Sequence, residues 1–269
     1  MACNSDCKNC KIKGACTEKK FFPLKDSSIK KTIAVMSGKG GVGKSTVTAN
    51  LASFMAKRGY KVGILDADIT GPSIPASFGV HTRLEGNEKV MYPAVSKNGI
   101  KMVSVNLLLE NESSPVVWRG PVLGNAIRQF YSECIWGDLD YLFIDMPPGT
   151  SDIQLTVLNN IPVDGAVIVT TPQDLVSMVV SKAVYMIQKV NVSIVGIIEN
   201  MAYFKCPCCN EVSNIFGPSH LADACMKYGI KSLGRLPLNP KLAKLIDEGK
   251  IEDYNSNEFD VCLNEIEAL

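Results

Sequence analysis

Eight consecutive residues, Gly38-Lys39-Gly40-Gly41-Val42-Gly43-Lys44-Ser45, followed by Thr46, match the GxxxxGK[ST] spacing of a phosphate-cradling loop. Glycines let successive backbone N–H groups turn toward phosphate oxygens, and a helix starting at the end of the loop adds partial positive charge. In that arrangement Lys44 neutralises the β/γ-phosphates and the Ser45 hydroxyl ligates Mg²⁺. The bland alternative is a glycine-rich turn that binds nothing. The second chemical feature is sulfur. Cys3, Cys7, Cys10 and Cys16 lie in the first thirty residues, and Cys206-Pro207-Cys208-Cys209 lies far downstream. Clustered thiols in a reducing compartment are metal ligands more often than disulfides. The four N-terminal thiols suit either an iron–sulfur cluster or Zn²⁺, and thiolate count alone does not separate them.

These groups need a scaffold, and the pattern from Lys31 onward predicts one. Short β-branched runs at Thr32–Met36, Val62–Leu65, Met102–Val105, Tyr141–Ile144, Ala166–Val169, Ile194–Ile198 and Ser232–Leu236 read as strands. Helical spacing falls between them at Ser45–Lys57, Leu123–Tyr131, Leu175–Val190, His220–Tyr228 and Lys241–Glu248, and a last helix is expected from Asn257, with Phe259, Leu263 and Ile266 on one face. Several strands are apolar on both faces, as in a parallel sheet covered by helices on each side. The fold expected is therefore α/β, a doubly wound, mostly parallel sheet over residues 31–269, preceded by an irregular cysteine-rich arm at 1–30. Asp145 ends an apolar strand, where a carboxylate can hold the Mg²⁺ shell through water, and Pro147-Pro148-Gly149 forms a stiff-then-flexible hinge.

Composition limits the function classes. Lys and Arg number 28 against 27 Asp and Glu, a formal charge of +1, so the chain carries no overall electrostatic footprint for nucleic acid or an anionic membrane. Its apolar runs are far shorter than a membrane span of roughly 20 residues. The chain opens Met1-Ala2-Cys3-Asn4 rather than on a basic, then apolar, then small-residue leader, and the expectation is a cytoplasmic protein.

The second lysine of the loop, Lys39, resembles the deviant Walker A lysine of MinD, ParA, the arsenite-pump ATPase and the nitrogenase iron protein, where it reaches the nucleotide of the partner subunit. Leu65-Asp66-Ala67-Asp68 and Phe143-Ile144-Asp145-Met146-Pro147-Pro148-Gly149-Thr150 fall where that group keeps switch I and Walker B. The resemblance implies that Asp68 positions the attacking water, that Asp66 supports the switch, that Asn200 reads the adenine edge, and that Pro237 lies in a loop closing over the base. Residues 31–248, with Trp118-Arg119-Gly120-Pro121 and the CPCC segment, closely resemble the Mrp/ApbC family of iron–sulfur carrier ATPases.

That resemblance implies an ATP-binding and ATP-hydrolysing scaffold that assembles a [4Fe–4S] cluster and passes it to apo-proteins, as a homodimer or a heterodimer with a paralogue. It implies that Cys206 and Cys209 hold a cluster between two subunits. A cubane takes four thiolates and one CxxC loop offers two, so two chains close the shell. Cys208, adjacent to Cys209, is expected to point away. The arm resembles the N-terminal cluster site of the cytosolic branch of the family, with Cys3, Cys7, Cys10 and Cys16 as ligands. Cys134, Cys225 and Cys262 are expected to be buried small hydrophobes. Two other classes compete: a MinD/ParA-like regulatory ATPase with structural zinc, and a nitrogenase-like reductase, whose ligands are spaced apart in the chain. The acidic last turn, Asn264-Glu265-Ile266-Glu267-Ala268-Leu269, weighs against the basic membrane helix that a MinD-like protein needs.

Overall fold

The structure is a computed structural model that describes residues 21–68, 73–87, 90–108, 120–149, 152–173 and 176–269. The arm cysteines Cys3, Cys7, Cys10 and Cys16, together with Gly71-Pro72, Trp118-Arg119, Thr150 and Ser151, lie outside those residues.

The β-branched runs form the sheet. In chain order the elements are β1 (Ser28–Ser37), α1 (Lys44–Lys57), β2 (Val62–Asp66), α2 (Ile74–Ser77), β3 (Ala94–Val95), β4 (Lys101–Val103), α3 (Gly120–Ser132), β5 (Asp138–Asp145) and α4 (Asp152–Asn160). They continue with β6 (Gly165–Thr170), α5 (Val176–Lys189), β7 (Ile194–Lys205), β8 (Val212–Ser213), α6 (Leu221–Tyr228), β9 (Ser232–Pro237), α7 (Pro240–Asp247) and α8 (Asp260–Glu267). The strand order is β3-β4-β2-β5-β1-β6-β7-β8, with β9 pairing β7. The long pairings are parallel, and the two-residue strands β3 and β8 pair antiparallel.

Two apolar layers sandwich this sheet, as its doubly apolar strands require. On one face α1 and α8 pack Leu51, Met55, Phe259, Leu263 and Ile266 against Ile33, Ile64 and Phe143. On the other, α3, α4 and α5 pack Ile127, Phe130, Val157 and Ile187 against Ala34, Leu142 and Ile144. The doubly wound, mostly parallel sheet expected from the sequence is the fold observed.

Three local departures matter for the site. The third expected strand stops at Val103 instead of Val105, because the Ser104 hydroxyl turns to donate to Asp66 Oδ2 (3.0 Å) and the chain then coils into a 3₁₀ turn at Val105–Leu108. Helix α4 was not foreseen: its segment mixes β-branched and Asn residues with weak helix preference, and burial of Val157 and Leu158 overrides it. Strand β7 runs seven residues past the expected Ile198, through the polar Glu199 and Asn200, which are buried rather than looped out.

Candidate nucleotide and cysteine site

The parallel sheet brings the chemical groups to the carboxyl ends of β1, β2 and β5, where open α/β sheets bind ligands. Between β1 and α1, Gly41 and Gly43 both adopt φ +78°, a conformation costly for residues with a Cβ. Gly43 supplies no side chain to cap α1, which leaves the first-turn N–H groups facing the loop's concavity. A Cβ at Gly43 would lie 2.2 Å from Asn200 Nδ2, so a larger residue there would have to displace the Asn200 amide as well as hold a strained φ. The loop lines a cavity of about 240 Å³ together with Lys39, Lys44, Ser45, Thr46, Asp68 and Pro148.

Lys44 is almost wholly buried, its Nζ 2.8 Å from Asp145 Oδ2 and 3.6 Å from Asp68 Oδ2. The Ser45 hydroxyl donates to Asp145 Oδ2 (2.6 Å) and the Thr48 hydroxyl donates to Oδ1 (2.7 Å). Both oxygens of Asp145 are thus held. Thr48 was not singled out from the sequence, since its partner Asp145 lies 97 residues away and buried Asn50 and Ser53 on the same helix look no different. Asp145 pairs in register with Asp66 on the neighbouring strand, which sets two carboxylates side by side in the sheet interior. Asp66 accepts from the Asp68 N–H (3.1 Å) and from Ser104. Burial, then the charge of Asp145, pushes the Asp66 carboxyl up to about 8 against the pull of Lys44.

The hinge after β5 is tied back to the core. Gly149, at φ +83°, donates its N–H to the Ser37 carbonyl (3.1 Å), and the buried Gln154 amide donates to the Pro147 carbonyl. The Lys39 ammonium donates to Gln173 Oε1 just past β6, within its own chain. Hard oxygen donors at Ser45 and Asp145 beside a cavity rimmed by backbone N–H groups fit a phosphate chain with Mg²⁺.

Asn200 lies behind the loop rather than in its cavity, with Nδ2 donating to the Val42 carbonyl (2.9 Å). The next residue, Met201, sits at φ +54°, and the ladder to β9 slips between Glu199 and Tyr203. Pro237, at the end of β9 opposite Tyr203, lines a separate cavity of about 480 Å³ shared with Cys206 and Pro207.

Strand β7 then delivers the cysteines. Phe204 and Lys205 pair with Ser213 and Val212 of β8. The hairpin is closed by Cys206 N–H to the Glu211 carbonyl (2.9 Å) and Asn210 N–H to the Cys206 carbonyl (2.9 Å), with Asn210 at φ +60°. Cys206 is half-buried, and Cys208 and Cys209 are exposed. Hydrogen bonds from the backbone N–H groups of Cys209 and Cys208, and from both thiols, lower the Cys206 pKa. Among the described residues no group of three or more His, Cys, Asp or Glu side chains is arranged to hold a metal ion. The hairpin carries three thiols, one fewer than the four that a [4Fe–4S] cluster takes. Cys134 and Cys262 are buried in the apolar layers, as expected, and burial raises both thiols; Cys225 is only half-buried.

A family model described as "ParA: NUBPL iron-transfer P-loop NTPase" matches residues 28–268. An iron-sulfur cluster carrier protein of Methanocaldococcus jannaschii is 47% identical over 257 residues, 92% of this chain and 89% of that protein. The cytosolic Fe-S cluster assembly factor CFD1 of Kluyveromyces lactis is 42% identical, covering 86% of this chain and 85% of its own. Among solved structures, a nucleotide-binding protein in complex with ADP from Archaeoglobus fulgidus aligns with a TM-score of 0.78 at 44% identity, covering 86% of this chain and 91% of that one. MinD of Aquifex aeolicus, in its MinC:MinD complex, aligns at 0.64 and 20% identity over 88% of this chain and 94% of that one, a likeness of fold alone.

Proposed function

Because the chain belongs to the NUBPL-type iron-transfer family of P-loop NTPases, we propose that it is an ATP-governed carrier that builds an iron–sulfur cluster and hands it to apo-proteins. The observation that carries the reading is that one strand, β7, holds Asn200 against the phosphate loop and runs directly into Cys206 at the head of a thiol-bearing hairpin. The MinD-like regulatory alternative is set aside by the family placement.

In this reading the cavity takes the phosphates of ATP. The first-turn N–H groups of α1 and the Lys44 ammonium face the β/γ-phosphates, and Lys44 exchanges its ion pair with Asp145 for the nucleotide. Ser45 and Asp145 would hold Mg²⁺, which when bound screens the phosphate charge. Asp68, 3.6 Å from Lys44 at the mouth of the cavity, orients the attacking water. Thr48 and Ser45 keep the Asp145 carboxylate from rotating. Lys39 leaves Gln173 to reach the phosphates of a second subunit. Asn200 and Pro237 border the base.

The cluster is cargo. Cys206 and Cys209 supply two thiolates from each of two chains to a [4Fe–4S] cluster, and the N–H groups aimed at Cys206 favour its ligating, deprotonated form. The arm cysteines Cys3, Cys7, Cys10 and Cys16 hold a second cluster within one chain. Acceptors are apo iron–sulfur proteins, and the setting is the cytosol. Metal and sulfide analysis of protein prepared without oxygen tests this. Iron with equimolar acid-labile sulfide and a brown colour is the expected result; colourless protein containing zinc would overturn it.

A further inference from the structure

Arg235 on β9 contacts both ends of the irregular stretch of β7, at Glu199 and at Ala202–Tyr203. Its Nε lies 3.0 Å from Glu199 Oε2, its Nη2 lies 3.5 Å from the Ala202 carbonyl, and its guanidinium stands 5.8 Å from the centre of the Tyr203 ring. Glu199 is fully buried and its other oxygen, Oε1, has no hydrogen-bond partner among the described residues. Its charge is therefore compensated chiefly by Arg235, a pairing that a buried carboxylate cannot lose cheaply. Between these contacts sits Met201 at φ +54°, a left-handed conformation that a bulky residue keeps only when its surroundings fix it.

The two ends of that stretch lead to different chemistry. Upstream, Asn200 grips the Val42 carbonyl of the phosphate loop. Downstream, the Tyr203 carbonyl accepts from Leu238 N–H (2.7 Å), and the strand ends two residues later at Lys205, next to Cys206. An unbraced bulge would flex and absorb any displacement arriving through Asn200. A bulge held at Glu199, Ala202 and Tyr203 by one planar side chain passes it on.

We propose that Arg235 is a positioning residue that makes the Glu199–Tyr203 bulge a rigid connector, so that nucleotide binding at the phosphate loop alters the cysteine hairpin through Asn200. This rests on reading the two ends as nucleotide and cargo sites. By thermodynamic reciprocity, cargo on the hairpin changes nucleotide affinity by the same factor.

The test is the rate at which N-ethylmaleimide alkylates Cys206 in the full-length, metal-free protein, resolved by peptide mass, with and without MgADP. In the wild type, MgADP should change the rate about fivefold or more. Arg235→Lys keeps a charge opposite Glu199 but loses the planar fork. The double variant Glu199→Gln/Arg235→Met removes both charges and guards against misfolding from an unpaired carboxylate. Both should bind MgADP with wild-type affinity and lose the rate change. Wild-type protein that binds MgADP without altered alkylation, or an Arg235→Lys protein that keeps the response, would overturn the proposal. So would loss of MgADP binding in both variants, which would make Arg235 part of the nucleotide site. Wild-type protein that does not bind MgADP at all would overturn the nucleotide reading, and this connector with it.

Discussion

Around Asp145 every charge has a geometric reason. Its two oxygens are taken by Ser45 and Thr48, and Lys44 closes the ion pair. Lys44→Ala should abolish ATP binding, since it removes the charge facing the phosphates, whereas Asp68→Asn should bind ATP and hydrolyse it slowly. Equilibrium binding and phosphate release decide; wild-type hydrolysis by Asp68→Asn would remove Asp68 from its role. Asp66 predicts a pH effect. Its carboxyl is pushed up to about 8 when folded, from an ordinary 3.8 when unfolded, so between these values the folded state holds a proton that the unfolded state has released. Its contribution to stability therefore falls as pH rises through that window, by at most about 1.4 kcal/mol per pH unit. Asp66→Asn cannot titrate, so in denaturant unfolding of nucleotide-free protein it should gain on the wild type from about pH 5 to about pH 8. Parallel curves would contradict the assignment. At this scale the sequence was legible where spacing carries geometry, as for Lys44 and Ser45, which meet at Asp145 beside the loop's cavity. It was silent on Thr48 and Gln173, whose partners Asp145 and Lys39 lie 97 and 134 residues away in the chain, and on Gln154, which bonds the Pro147 carbonyl beneath the hinge.

At the scale of elements, the start of α1 and the bulge of β7 are built against each other. Gly41 and Gly43 share φ +78°, but a Cβ at Gly41 meets nothing within 4 Å whereas one at Gly43 meets the Asn200 amide. Gly41→Ala should cost only the backbone term, about 1–2 kcal/mol. Gly43→Ala should cost more, and Asn200→Ala introduced with it should recover the excess; unfolding midpoints measure this. Equal losses in the two single variants would mean that the contact has no energetic weight. The main strands and the long helices were readable because hydrophobic periodicity reports burial directly. The extension of β7 was not, since Glu199 and Asn200 look like the start of a loop until Arg235 and the Val42 carbonyl are seen to satisfy them.

On the scale of the whole molecule, a chain with almost balanced charge places a phosphate cavity and a thiol hairpin along one strand. Among the described residues no helix is long and apolar enough to cross a membrane. In the proposed reading the hairpin needs a second chain to complete a four-thiolate shell, and Lys39 ties that pairing to nucleotide. The most direct test is cluster transfer. Full-length protein reconstituted anaerobically with iron and sulfide is mixed with an apo-enzyme that needs a [4Fe–4S] cluster, and recovery of the enzyme's activity is followed. The wild type should activate the acceptor. Cys206→Ala and Cys209→Ala should abolish activation while still binding ATP, and Cys7→Ala/Cys10→Ala should retain the transfer that the hairpin supports. Undiminished transfer by Cys206→Ala, or complete loss confined to the Cys7→Ala/Cys10→Ala protein, would contradict the hairpin as the site from which the cluster leaves.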